Sequence, residues 1–269
     1  MKIWYQSASA YGYEPVWDDY GHTVQRQAQA ALQPGTELHV HGIRVMVRDI
    51  ENWRGLQYFQ NAQIMANMRR AEEEGYDAFV IGCTLDPGLY EGRSLLEMPI
   101  VGISEAAFHM ATTLGRMGAI VTSSSAFCEV YGEQLVRYGL ERRFMPGPYI
   151  VEASEEEIAT ALGRPGSLLD KFVATCERAV KDGASVIVPG PAFLSTLAWR
   201  AGLRDIGGAP ILDTIALAAA TAQMQVSLWR NGLRPSRRIG AFRRPEGGWN
   251  HPAFERMAPV FTLPGATSD

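Results

Sequence analysis

A thiol and a hydroxyl stand side by side in Ile81-Gly82-Cys83-Thr84-Leu85-Asp86-Pro87-Gly88, where an apolar run stops on a glycine. The preceding Tyr76-Asp77-Ala78-Phe79-Val80-Ile81 is short, β-rich and nearly continuous in its apolar character, which predicts a strand buried on both faces. Gly82 permits a sharp turn and Asp86-Pro87-Gly88 closes it. The carboxyl end of a parallel strand faces the crevice in which α/β proteins bind ligands, so Cys83 is placed to act as acid, base or nucleophile. A helix starting soon after it would draw the thiol pKa from about 8.5 toward neutrality. The competing reading is a small buried hydrophobe, the role of most free cysteines.

Other groups gather at strand ends. Ser7 follows a predicted first strand, Lys2 to Gln6, while Ser123 and Ser124 follow another, Gly118 to Val121. With Thr84 and the N–H groups of their loops, these hydroxyls are candidates to cradle a carboxylate or an enolate-like oxyanion. Gln6 is a further polar candidate. The alternative for each hydroxyl is a helix cap or a turn. Tyr11 and Tyr13 are placed to close such a pocket. His39 and His41 point to one face of a strand predicted over Glu37 to Gly42, but no nearby Cys, Asp or third His completes a ligand set, so no metal site is expected. His109 reads as a packed helix residue. No G-x-G-x-x-G follows the first strand and no P-loop occurs, so no nucleotide, flavin or other cofactor is expected.

The elements that must position these groups come in strand–helix alternation. Helices are predicted from Asp18 and Asp19, as caps, to Ala31; from Leu56 to Gly75; after Ser104, read as a cap; from Phe127 to Tyr138; over Glu155 to Leu162; and from Leu168 to Lys181. Pro99-Ile100-Val101-Gly102 reads as a strand, and Phe144 to Val151 as an extended segment. The pattern then repeats itself: Asp182-Gly183-Ala184-Ser185-Val186-Ile187-Val188 mirrors Glu74-Gly75-Tyr76-Asp77-Ala78-Phe79-Val80 at an offset of 108, and Pro210-Ile211-Leu212 mirrors Pro99-Ile100-Val101. The fold class is therefore α/β, with two pseudo-symmetric lobes, each a short, mostly parallel sheet flanked by helices, and the site in the cleft between them. The lobes are assigned to residues 1–113 and 114–230. The same offset carries Cys83 onto Pro191, so Pro191 and Ala192 line the substrate at the second lobe's equivalent strand end without a titratable group.

Together Tyr76-Asp77-Ala78-Phe79-Val80-Ile81-Gly82-Cys83, Asp86-Pro87-Gly88-Leu89, Pro99-Ile100-Val101-Gly102-Ile103-Ser104-Glu105-Ala106-Ala107, Asp182-Gly183-Ala184 and Pro210-Ile211-Leu212-Asp213 resemble the aspartate/glutamate/hydantoin racemase superfamily, most closely its hydantoin and allantoin racemase branch. The resemblance runs to about residue 226. It implies cofactor-independent proton transfer at a carbon α to a carbonyl or carboxylate, with one cysteine on each face of a small carboxylate or cyclic-amide substrate. The first cysteine position matches Cys83 and the second matches Pro191; Tyr5-Gln6-Ser7 stands where the hydantoin branch has Asn-Pro-Asn. Proline can be neither acid nor base, and Cys128 and Cys176 fall within predicted helices. The resemblance thus implies a single-cysteine enzyme carrying out one-sided proton transfer, isomerisation or decarboxylation. A racemase with another second base, and a ligand-binding protein without catalysis, stay open beside it.

Composition bounds the partners. The 269 residues are 46% hydrophobic and 20% charged with a net charge of −4, which gives no general attraction to nucleic acid or an anionic membrane. The most apolar long segment, Ile211 to Trp229, is interrupted by Asp213, Thr214, Thr221, Gln223, Gln225 and Ser227 and reads as a buried helix. Three cysteines without C-x-x-C spacing fit reduced thiols, and the amino terminus turns polar too early for a signal peptide, so a cytoplasmic location is expected. Residues 231–269, with Arg234, Arg237, Arg238, Arg243 and Arg244, read as an arm packing across a homo-oligomer interface through Trp249, Phe254 and Phe261.

Overall fold

Side-chain alternation along the first strand sets the layers of the computed structural model. β1 (Lys2–Gln6) turns Ile3 and Tyr5 to one face of a sheet and Trp4 to the other, the two-residue period of a pleated strand. The structure describes residues 1–48, 50–153, 157, 166–236 and 243–257. Apart from Glu157, the helix expected over Glu155 to Leu162 lies outside them, as do Arg237, Arg238 and Phe261 of the arm.

β1 is central in a parallel sheet ordered β2 (Glu37–His41), β1, β3 (Ala78–Ile81), β4 (Ile100–Gly102). The connecting helices are α1 (Asp18–Gln29), α2 (Arg54–Glu73), α3 (Leu89–Leu95) and α4 (Ile103–Leu114). A second parallel sheet has the order β6 (Tyr149–Ile150), β5 (Gly118–Thr122), β7 (Val186–Pro189). It carries α5 (Ser125–Tyr138), α6 (Gly166–Lys181) and α7 (Ala192–Arg200), followed by a small hairpin, β8 (Asp205–Ile206) and β9 (Ala209–Pro210). α8 (Thr214–Arg230) and the short α9 (Pro252–Met257) complete the described elements.

The internal repeat is real at the level of topology. β3 and β7 span equivalent positions at the offset of 108 and flank the central strand of each sheet. Where the first lobe has β4, the second has a single parallel bridge between Ile187 and Ile211. The two repeats share a core. α8 lays Ile215, Ala218, Ala219, Ala222 and Val226 against Ile3, Tyr5, Val24, Val80 and Val101, so the last helix of the second repeat completes the core of the first sheet. Its cap, Asp213, accepts a 2.6 Å bond from Gln27 of α1.

Local starts also differ from expectation. Asp18 and Asp19 sit in the first turn of α1 rather than capping it, and Asp19 instead pairs with Arg200 of α7 at 2.5 Å. Ser104 lies inside the first turn of α4, its hydroxyl donating to the Thr84 carbonyl at 2.6 Å. The described part of the arm packs on its own chain: Trp249 joins the first lobe's outer core, and the Arg244 guanidinium donates to the Leu95 carbonyl at 2.9 Å. Among the described residues, no helix is long and apolar enough to cross a membrane.

Candidate active site

The register of the ladders brings the strand ends level. Gln6 pairs with both His41 and Ile81, and Val121 pairs with Pro189, so Ser7, Gly82, Ser123 and Gly190 follow at or just beyond the sheet edges. Equivalent bonds fix the two turns: Gly82 N–H donates to the Gln6 carbonyl and Gly190 N–H to the Val121 carbonyl, each at 2.8 Å. Gly82 is required there, because a Cβ would stand 2.2 Å from the buried Tyr5 ring.

Between the lobes these ends enclose a cavity of about 290 Å³, small for a ligand pocket. Ser7, Cys83, Thr84, Ser123, Pro191 and Ala192 line it together. Two other candidates lie away from it. Gln6 is buried beneath the sheet edge, accepting from Trp4 Nε1 at 3.0 Å and Asn67 Nδ2 at 2.8 Å and donating to the Ser7 carbonyl at 2.9 Å. Ser124 caps α5, its Oγ accepting from Ala126 N–H at 3.2 Å. Tyr11 and Tyr13 belong to a separate cavity of about 360 Å³ with His22, His41 and Arg70. His39 and His41 share a face, as their spacing implies, and both meet the Tyr76 hydroxyl, at 2.9 and 3.2 Å. Stacked on Trp4 and partly buried, His41 has its pKa lowered to about 4. Among the described residues, no cluster of three or more His, Cys, Asp or Glu side chains forms a metal-binding group.

The thiol differs from expectation in its electrostatics. α3 starts only at Leu89, beyond the turn that follows Cys83, and burial sets the thiol's acidity instead. Burial raises the Cys83 pKa to about 12; the Leu85 N–H opposes this, and the charges of Asp86 and Glu51 add to it. Cys83 is thus a neutral thiol at rest, a proton donor rather than a standing nucleophile. Cys128 bonds the Ser124 carbonyl within α5, and Cys176 is fully buried in the second lobe, so neither lines the cavity.

Sequence reasoning read Asp86 only as a turn residue. Its backbone takes φ 46°, a left-handed conformation uncommon outside glycine, and its carboxyl accepts from Ser104 N–H at 3.1 Å, Glu105 N–H at 2.8 Å and Tyr138 Oη at 2.7 Å. One side chain thereby caps α4 and pins the Cys83 loop to α5 of the other lobe. Gly102 makes room for it, since a Cβ there would lie 2.6 Å from the Asp86 carboxyl carbon. Burial raises the Asp86 pKa to about 7 despite those three donors. Thr84 is held likewise: Tyr131 Oη donates to its hydroxyl at 3.1 Å and Gln134 Nε2 to its carbonyl at 3.0 Å. The other missed wall comes from the segment after β2, which brings Arg48, Glu51, Gln57 and Asn61 to the cavity. Arg48 and Glu51 precede α2 and Gln57 and Asn61 lie on it, and no motif marked any of the four.

The Asp/Glu/hydantoin racemase family model matches residues 18–222, which include three of the four strand ends at the cavity, those of β3, β5 and β7. The chain belongs to this family. Within the Asp/Glu/hydantoin racemase family it is 32% identical over 163 residues to a hydantoin racemase of Rhizobium meliloti, covering 60% of this chain and 64% of that protein, just under two thirds of its length. To a hydantoin racemase of Pseudomonas sp. it is 24% identical over 206 residues, covering 76% of this chain and 80% of that protein. Among solved structures, allantoin racemase from Klebsiella pneumoniae superposes with a TM-score of 0.76 at 27% identity, over 91% of this chain and 94% of that one. These likenesses support the hydantoin racemase-like branch of the racemase family and its two-lobed α/β fold.

Proposed function

We propose that this racemase-family protein is a cofactor-independent enzyme that moves a proton at a carbon α to a carbonyl of a small cyclic amide of the hydantoin type or a small carboxylate, with Cys83 as the proton-transfer group. The observation that carries the reading is the convergence of Cys83 with Ser7, Thr84 and Ser123 in one small inter-lobe cavity. The walls are largely apolar, with Trp17, Phe127 and Phe193 among them, which suits a compact ring whose carbonyls are met by a few fixed donors. Thr84 accepts from Tyr131, so its own proton remains to be donated, and a hydroxyl so oriented stabilises the oxyanion that forms as the carbon acid ionises. The neutral Cys83 thiol protonates one face of that enolate, the thiolate then recovering a proton from water or taking the α-proton in the reverse direction. Pro191 and Ala192 shape the second lobe's side of the cavity, and Pro191 offers no proton from there.

The reading includes a reducing, cytoplasmic setting, in keeping with three free cysteines, and a homo-oligomer, in keeping with the exposed Trp53 at the cap of α2 and Leu56, Tyr58 and Phe59 in its first turns. The test is exchange in D2O. The protein is incubated with 5-substituted hydantoins, allantoin and small α-substituted carboxylates, and loss of the α-proton is followed by NMR. Exchange that is lost for at least one enantiomer in Cys83→Ala, with an unchanged circular dichroism spectrum, supports the proposal. Equal exchange by the wild type and the variant removes the thiol from the reaction.

A further inference from the structure

A single proton-transfer group can label a carbon acid from one side but cannot invert it; inversion needs a second group in reach of the same atom. Among the described residues lining the cavity, the titratable or charged side chains are Cys83, Tyr20, Arg48 and Glu51. Arg48 is permanently charged and cannot take a proton. Burial holds the Tyr20 phenol far above its ordinary pKa, so it stays protonated at neutral pH. Glu51 is the carboxylate that remains.

Its placement is built. Glu51 lies in a 3₁₀ turn, Ile50–Asn52, that leads into α2, and Gln57 Nε2 holds the turn by donating to the Ile50 and Glu51 carbonyls at 3.0 and 3.2 Å. The same turn packs against α5 of the second lobe, and Arg54, just beyond it, pairs with Glu133 of α5 at 2.5 Å. Glu51 therefore enters the cavity from a segment that bridges to the second lobe, whereas Cys83 enters from the end of β3.

We infer that Glu51 is the second acid–base residue of this site, working with Cys83 on the two faces of the substrate's α-carbon so that the enzyme racemises it. The inference rests on the proposed proton-transfer reading and extends it. In the forward step the Glu51 carboxylate takes the α-proton: the C–H bond breaks, its electron pair passes into the enolate, and the carboxylic acid forms. The Cys83 S–H bond then breaks, its proton forming the new C–H bond on the other face and leaving a thiolate. Proton exchange with water returns both groups to their starting forms, and the other enantiomer runs the sequence backwards. The Glu51 charge also acts on the thiol, adding in small part to the rise that burial causes.

The test uses the full chain and each enantiomer of 5-benzylhydantoin in D2O, with α-proton loss read by NMR and configuration by chiral chromatography. The wild type should invert both enantiomers with deuterium incorporation. Glu51→Gln, nearly isosteric, should lose inversion by about 10²-fold or more, as expected for removing a positioned base. Cys83→Ser should still exchange the proton of the one enantiomer that faces Glu51, without inverting it, and Glu51→Asp should retain partial inversion. Inversion by Glu51→Gln within a few-fold of wild type overturns the inference. So does wild-type exchange of one enantiomer without inversion, a result that leaves the Cys83 reading standing. No exchange by the wild type overturns both.

Discussion

The acidity of Cys83 separates two views of the site and can be measured without a substrate. At pH 8 a thiol with a pKa of about 12 is ionised to about 1 part in 10⁴, whereas an ordinary cysteine near 8.5 is ionised to about one quarter, a ratio of about 2,000. A more basic thiolate is intrinsically more nucleophilic, and a Brønsted slope near 0.45 over about 3.5 pK units returns about 40-fold. The net expectation is iodoacetamide alkylation of Cys83 about 50-fold slower than that of a free thiol at pH 8. Its rate should rise roughly tenfold per pH unit past pH 10. Mass mapping of the tryptic peptides distinguishes Cys83 from Cys128 and Cys176, and Cys83→Ser supplies the background. A rate that levels off near pH 7 to 8 would refute the argument, showing that the Leu85 N–H and the loop dipoles outweigh burial and the neighbouring carboxylates.

Two further predictions concern stability. Asp86 has its folded pKa raised to about 7 from an ordinary value near 3.9, so the stability linked to its protonated form is fully present below about pH 4 and is lost as pH rises toward 7. Between pH 5 and 8 the wild type should lose roughly 3 kcal/mol more than Asp86→Asn in urea unfolding; parallel pH profiles would count against a raised Asp86. Cys176→Ala, at a fully buried position in the second lobe, should cost about 1 kcal/mol by differential scanning calorimetry. An unchanged Tm would show that the core closes over the lost sulfur.

How far the molecule was legible depended on where its information is stored. The parallel strands announced themselves through continuous apolar runs, and the repeat marked β3 and β7 as equivalent strands of the two sheets. Cys83 and Pro191 meet in one cavity for that reason. The thiol's pKa was not legible, because it depends first on burial, which outweighs the neighbouring Leu85 N–H, and in smaller part on the charges of Asp86 and of Glu51, the latter brought near by the segment between β2 and α2. Ser104 and Asp86 illustrate the same limit: a serine at a helix start reads as a cap, yet here a distant carboxylate does that work and frees the serine to hold Thr84. Gln6 reads as a polar strand-end residue, and only the packing of Trp4 and Asn67 shows that its amide is consumed beneath the sheet.

The position of α8 has a consequence for how the chain is made. Its apolar side completes a core whose other members come from all four strands of the first sheet, from α1 and from the start of α4, so residues 3 to 103 wait for residues 215 to 226 before they are fully covered. During synthesis the first sheet emerges with one flank open while most of the chain is still to come. Closing so long a loop is slow relative to local helix formation. The amino-terminal repeat should therefore behave on the ribosome as a partly folded, sticky intermediate, and a fragment ending near residue 113 should aggregate rather than fold. Duplication supplied two similar halves; the late helix makes the order of their completion run from the end of the chain back to its beginning.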